Sequence, residues 1–478
     1  MKLDWKAIVP VAIGLAIWLV PTPQGLQPYA WQYFALFTAV IAALVLEPIP
    51  AAAAGLMGIT LAAALNLVPA QAGVAPTTAD ALRWALSGFS NGTVWLIFVA
   101  FMFAMGYEKT GLGRRISLVL IKKLGRSTLG LGYAVALADL ALAPFTPSNT
   151  ARSGGVIFPI IKNIPPLYGS TPESGARKIG GYLMWTALSA TCVTSTMFLT
   201  ALAPNLLALS LLEKTAKFTF TWNEWFLSLA PACIILFAAL PYLVYVIYPP
   251  EIKRSDDAPR WAGEELAKMG ALTRKEITMA GLAVFALVLW IFGGKLFDAT
   301  TVALMALSLM ILTGVVTWED ITGHKTAWNV LCWFATLVAL ADGLGKVGFL
   351  KWFAALAAGA MSGFSISALM LALVLLFFFI HYMFASLTAH TTALLPVILA
   401  TAMGIPGIPM KTFAILICAT LGLMGILTPY ATGPSPVYYG CGYITRKEFW
   451  TLGFVFGVIF IGVLLGVNFP YLLMRGAS

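Results

Sequence analysis

The sequence predicts an all-α polytopic membrane protein with about eleven transmembrane helices and two re-entrant helical hairpins, arranged as an inverted-topology repeat. Composition, long uncharged runs and motifs echoed half a chain apart predict it. Of 478 residues, 60% are hydrophobic and 10% charged, whereas an average soluble domain carries about 25% charge. This excludes water-soluble enzymes, nucleic-acid modules and disulfide-rich secreted domains. The net charge of +10 is therefore a statement about topology, and no nucleic-acid partner is expected. No Asp, Glu, Lys or Arg occurs in 7–46, 48–79, 84–107, 179–212, 225–250, 352–410, 412–445 or 449–474. These runs are continuously apolar rather than alternating, which selects helices over a barrel in lipid.

In chain order, spans are expected near 7–21, 29–46, 49–69, 93–107, 179–212, 226–248, 277–295, 299–316, 326–342, 411–441 and 449–472. The first follows Lys2 and Lys6 and leads straight into the second, so it reads as an uncleaved helix rather than a leader. The apolar blocks 128–162 and 364–402 read as hairpins. The chain divides into scaffold helices 1–92, a first repeat 93–225, connecting scaffold helices 226–325 with a cytoplasmic loop 249–276, and a second repeat with the C-terminal helix 326–478. With hairpins that return to their own side, twenty of the 29 lysines and arginines fall on one face and eight on the other, Arg152 standing apart. The positive-inside rule then puts the N-terminus in the cytoplasm and the C-terminus outside. The five cysteines have no metal-like spacing and read as small buried hydrophobes; no metal, cofactor or catalytic centre is expected.

Thr93-Val94-Trp95 opens a span that closes at Gly111-Leu112-Gly113, and Thr326-Ala327-Trp328 opens one that closes at Gly343-Leu344-Gly345. Polar-flecked stretches 114–125 and 346–359 follow, which fit helices in the interface plane. Ser148-Asn149-Thr150-Ala151-Arg152 is echoed by Ser386-Leu387-Thr388-Ala389-His390, 238 residues later, each near the middle of its apolar block. Proline and glycine interrupt two spans, at Thr200–Asn205 and Thr428–Pro434. Inverted repeats with broken helices and a midplane site are the signature of secondary transporters.

Ser-x-Thr at a helix start is ordinarily only a cap, but two copies at matching depth favour a site. Free N–H groups and the positive dipole end of a helix form an anion site. Arg152 and His390 are ionisable residues at matching positions and are expected to face a substrate with two or more negative charges. His381 reads as a structural hydrogen-bonder, Asp139 and Asp342 as structural pairing partners. Glu47 and Glu108 need no role beyond ending spans.

At these motifs the sequence resembles the divalent anion:sodium symporter family, specifically its antiporter branch. The resemblance runs end to end and is carried by Leu46–Pro50, Gly106–Glu108, Gly111–Arg115, Ala143–Arg152, Ile179–Trp185, Ser386–His390 and Leu427–Pro434. It implies a homodimer among membrane lipids, an elevator motion, and a di- or tricarboxylate clasped between the hairpin tips. It further implies that Ser148, Asn149, Thr150, Ser386 and Thr388 touch substrate, helped by Pro204, Asn205, Thr428 and Pro429. Sodium-coupled members carry Ser-Asn-Thr at both tips. Leu387 here offers no ligand, which implies sodium-independent exchange with Arg152 and His390 standing in for the cations. The alternatives are a sodium- or proton-coupled symporter of the same fold and, further off, a membrane-embedded enzyme, for which no HExxH or GxSxG motif is present.

Overall fold

The computed structural model describes residues 5–475 apart from 71–73, 75, 255, 361 and 362, so Lys2 lies outside the described residues. Among the described residues every regular element is helical. Among the described residues, nine helical segments are long and apolar enough to cross a membrane, three of them hairpin arms. Length alone therefore does not separate arm from span; the contacts at their ends do. Large apolar side chains stand out on the outer helices, among them Leu19, Phe292 and Leu312, each about 80% exposed, as a lipid-facing surface requires.

The chain opens with helices Trp5–Leu19, Pro28–Leu46 and Ala51–Ala64. A short amphipathic helix, Thr78–Leu86, follows that the uncharged runs did not reveal; Trp84 anchors it by donating its indole N–H to Ala339 O at 2.9 Å. Gly92–Thr110 starts on the Asn91 cap and ends at Gly111, whose φ of 76° is the left-handed conformation a helix stop uses. Leu112–Leu124 is a helix over most of the polar-flecked stretch 114–125. It packs on Asp257–Met269, so the expected loop 249–276 contains a helix of its own.

The first hairpin runs up Thr128–Leu142 and one 3-10 turn, breaks at 146–149, and returns as a π-helical stretch, Thr150–Ile157, and one α turn, Phe158–Ile161. Its two ends meet one neighbourhood: Thr128 N donates to Lys253 O at 3.0 Å, and Ala258 N to the Tyr168 hydroxyl at 2.8 Å. The second hairpin pairs Ile366–Phe379 with Leu387–Gly404. Its ends also meet, since a Cβ on Gly407 would lie 2.7 Å from Ile366. Both hairpins are therefore re-entrant.

They enter from opposite faces. The basic face gathers Lys109–Asp320, Arg114–Glu265, Arg115–Glu276 and Arg177–Glu448 ion pairs. Glu276, Asp320 and Glu448 also close capping boxes with Thr273, Thr317 and Thr445, so one carboxylate both starts a helix and tethers it. Lys325–Lys346 leaves this face, and its 22 residues span about 33 Å at 1.5 Å each. It ends beside Gly404, at the open end of the second hairpin. The expected inversion of the halves is thus built into the contacts.

Two spans break where the sequence marks them. Gly180–Met197 and Ala203–Ala216 are separated by 198–202, and Met410–Ile426 is separated from Ser435–Gly440 by 427–434. The last span is continuous but bent through a π segment, Leu464–Asn468. Buried Asn468 mends its neighbour Trp222–Ile247, in which Pro231 cannot donate. Its amide donates to Ser228 O at 2.7 Å and accepts from Ala232 N at 3.0 Å, while the Tyr471 hydroxyl donates to Leu227 O at 3.1 Å. Asn468→Leu strands a buried donor and acceptor and is expected to cost about 1–3 kcal/mol, read as a lower melting midpoint of the detergent-solubilised protein; an unchanged midpoint removes this role.

Candidate functional site

Each hairpin tip is shaped by its serine. Ser148 Oγ accepts from Ala151 N at 3.1 Å, and Ser386 Oγ from Ala389 N at 3.3 Å, so both cap the returning arm. The first tip is pinned to the second broken helix: Asn149 donates to Thr432 Oγ1 at 2.7 Å, and Gly433 packs so closely on Thr150 that a Cβ would overlap its hydroxyl. Both tips line one cavity of about 460 Å³. Six expected residues form its wall: Ser148, Asn149, Thr150, Pro204, Ser386 and Thr388. Three helix starts converge there, at Thr150, Ala203 and Leu387. The first N–H groups of the two returning arms have no partner within their helices, whereas Ala203 N donates to Pro147 O at 2.7 Å and Pro204 has no N–H; all three dipoles place positive potential on the cavity. Among the described residues, no Lys, Arg or His lines it.

Arg152 is thus a correction to the expected substrate contact. It is fully buried behind the first tip. Nε donates to both oxygens of Asp139 at 3.1 and 3.2 Å; Nη1 donates to Thr146 O and Ala201 O, both at 2.8 Å; Nη2 donates to Thr191 and Ser195 hydroxyls at 3.1 and 3.0 Å. Thr194 donates to the same carboxylate. The reason is energetic: a lone guanidinium at this depth is expensive, and the pairing expected of Asp139 neutralises it from the opposite arm. Asp342 also pairs as expected, with Lys346 at 4.0 Å.

His390 is corrected in the same way. It is fully buried behind the second tip, its ring 4.4 Å from that of Phe377 and 4.9 Å from that of Phe384. It forms one unit with His381, Nδ1 to Nδ1 at 3.2 Å, and His381 Nε2 lies 2.8 Å from Ala431 O. That carbonyl only accepts, so His381 carries its proton on Nε2 and accepts at Nδ1 from His390. Two imidazolium rings would point Nδ1–H at Nδ1–H, so the pair holds at most one charge. The two halves therefore match: behind each tip a basic residue belongs to a buried pair that bonds a carbonyl in the adjacent broken helix, Ala201 or Ala431.

The other three expected residues support the breaks without lining the cavity. Asn205 donates to Ser195 O at 2.7 Å and Phe198 O at 3.3 Å; Thr428 accepts from Tyr430 N at 3.4 Å, and Pro429 is half-buried beside it. Conversely, Glu47, Trp333 and Thr432 line the cavity unforeseen. Thr432 and Glu47 lay within quoted motifs; Trp333 gave no signal beyond its place in a repeat-matched span.

The cavity continues. It shares Ser148, Thr150 and Thr326 with a neighbour of about 340 Å³. That one shares Glu108, Gly155 and Val156 with a cavity of about 670 Å³ whose rim includes Arg114 and Lys162. The three cavities thus follow one another along the π-helical arm, from the tips to the basic face.

The family model for the sodium:sulfate symporter transmembrane region matches residues 1–475. The chain belongs to this family. Among sodium:sulfate symporter-type relatives, the citrate/succinate antiporter of Escherichia coli (strain K12) is 50% identical over 477 residues, 98% of each chain. The L-tartrate/succinate antiporters of the same strain and of Shigella sonnei (strain Ss046) are 50% identical over 469 residues, 96% of each. The crystal structure of the Alcanivorax borkumensis YdaH transporter, 18% identical, covers 88% of this chain and 96% of its own with a TM-score of 0.53, a likeness of fold.

If Arg152 and Asp139 act as a pair, Arg152→Leu leaves a buried carboxylate uncompensated and is expected to cost about 3–5 kcal/mol. Arg152→Leu with Asp139→Leu is expected to recover more than half of that. Melting midpoints of the two variants check this; a single variant as stable as the parent refutes the pairing role.

Proposed function

We propose that this protein is a sodium-independent exchanger of di- and tricarboxylates across a bacterial inner membrane, working as a homodimer by an elevator motion. The names of its 50%-identical relatives support the substrate class, with succinate one of the exchanged acids. The observation that carries the chemistry is the shared cavity of the two tips, faced by three helix starts and by hydroxyls. Carboxylates accept from exactly such groups. Transport in place of embedded hydrolysis is what the relatives' names have in common.

Exchange follows from dehydration. An empty cavity carries unsatisfied donors into a dry layer, which is costly; a dianion satisfies them, and the loaded carrier moves more readily. Arg152 adds no net charge to that cost, because Asp139 neutralises it. Sodium independence rests on Leu387, which stands where Asn149 stands in the first half and offers no oxygen. The divisions 1–92, 93–225, 226–325 and 326–478 become scaffold and moving parts in this reading. With the N-terminus cytoplasmic, the row of cavities from the tips to the basic face supports an inward-open arrangement.

In proteoliposomes, labelled succinate should enter only when an unlabelled dicarboxylate is inside, at the same rate in sodium and potassium media. Equal accumulation in empty vesicles, or a sodium requirement, overturns the proposal. Leu387→Asn alone should not introduce sodium dependence, because one added amide oxygen falls short of the several oxygen ligands a hard cation needs; stimulation of uptake by sodium in that variant refutes the argument. A second reading, proton-coupled uptake, is favoured by one observation, the capacity of the His381–His390 pair for a single charge. Acid-driven accumulation without internal dicarboxylate would select it.

A further inference from the structure

We infer that a lysine-rimmed cavity at the open end of the second hairpin binds the head of an anionic phospholipid. The cavity, about 750 Å³, lies between the ends of Ala203–Ala216, Lys325–Lys346 and Leu387–Gly404 and the first turns of Phe349–Ala360. Lys214, Lys217, Lys346 and Lys351 line it against a single carboxylate, Asp342, which pairs with Lys346. Among the described residues, Lys214, Lys217 and Lys351 have no hydrogen-bond or ion-pair partner.

Lysines often sit at helix ends merely to offset the dipole, and Lys214 and Lys346 are in such last turns. Lys217, the left-handed cap that ends Ala203–Ala216, is at a helix C-terminus too, although its φ of 62° is one that lysine rarely adopts. Lys351 is not explained that way: it stands in the first turn of its helix, where a cation is unfavourable. Four lysines against one carboxylate leave an excess of positive charge that an anion would offset.

The remaining wall selects the kind of anion. Leu350, Ala354, Ala355, Ala400 and Met403 give it an apolar side. Gly404 seals the floor, since a Cβ there would lie 2.4 Å from Ala354 O. A free dicarboxylate would use the lysines and leave this apolar wall wet. A phospholipid uses both, with phosphate at the rim and acyl chain along the wall. The occupant would touch the second hairpin and the helix Lys325–Lys346 at once.

The test uses the full chain in neutral detergent micelles containing phosphatidylglycerol or phosphatidylcholine, with bound lipid counted by native mass spectrometry. Each lysine near a lipid surface is worth roughly fivefold in affinity for an anionic head. The parent should retain phosphatidylglycerol at least about tenfold over phosphatidylcholine. K214Q/K217Q/K351Q should lose that preference, and K295Q, a lysine change outside the cavity, should keep it. If the triple variant does not fold, K351Q alone should lose roughly fivefold and K214R/K217R/K351R should lose none. Equal preference in the parent and in the glutamine variants overturns the site. Displacement of the lipid by inorganic phosphate at constant ionic strength also overturns it, in favour of a soluble anion.

Discussion

A hairpin that stops inside the membrane and a helix that breaks there share one difficulty: each leaves carbonyl groups with no helical donor, in a medium that offers no water. Arg152 answers for both at once. Its guanidinium donates to Thr146 O at the tip of the first hairpin and to Ala201 O at the break of the neighbouring helix. Asp139 removes the charge problem, and the hydroxyls of Thr191 and Ser195 take up the remaining donors. Neither irregular segment is stable in lipid alone; joined, each completes the other. Ser148 and Asn149 are aimed at the cavity because the chain just after them is held in this way.

The second half meets the same requirement with imidazoles. His381 serves Ala431 O in the other broken helix, and His390 leans on His381 rather than on any acid. One half thus holds a neutralised ion pair and the other a pair of rings with room for at most one charge. In both, ionisable groups stand behind the tips, while helix starts and hydroxyls face the ligand. Partial charges fixed in the backbone make the empty cavity costly to dehydrate, without the full charge that a free lysine or arginine in the wall would carry.

Much of this was legible in the sequence because lipid leaves few options. Uncharged runs located most of the spans, and the duplicated Ser-x-Thr-Ala located both tips. Short amphipathic helices were harder. Thr78–Leu86 and Asp257–Met269 carry ordinary surface composition and are fixed by tertiary contacts such as that of Trp84 with Ala339. The side on which a tip residue points was not legible. Arg152 turns away from the cavity because its partners come from 139, 191, 195 and 201, and His390 because of 377, 381 and 384. A hint existed in the threonines and serine at 191, 194 and 195, polar groups clustered on one turn of a span without charges. Glu47 was read as a span end because nothing local distinguishes a carboxylate at a helix stop from one at a cavity wall.

The repair of the Trp222–Ile247 helix by Asn468 links two stretches of chain that no repeat relates. The asparagine is useful there because Pro231 has already spoiled the local ladder, and the proline is tolerable because the asparagine fills the gap. Evolution should therefore exchange these two positions together. Relatives with an ordinary residue at the one should be free to replace the amide at the other, a covariation that an alignment can display or deny.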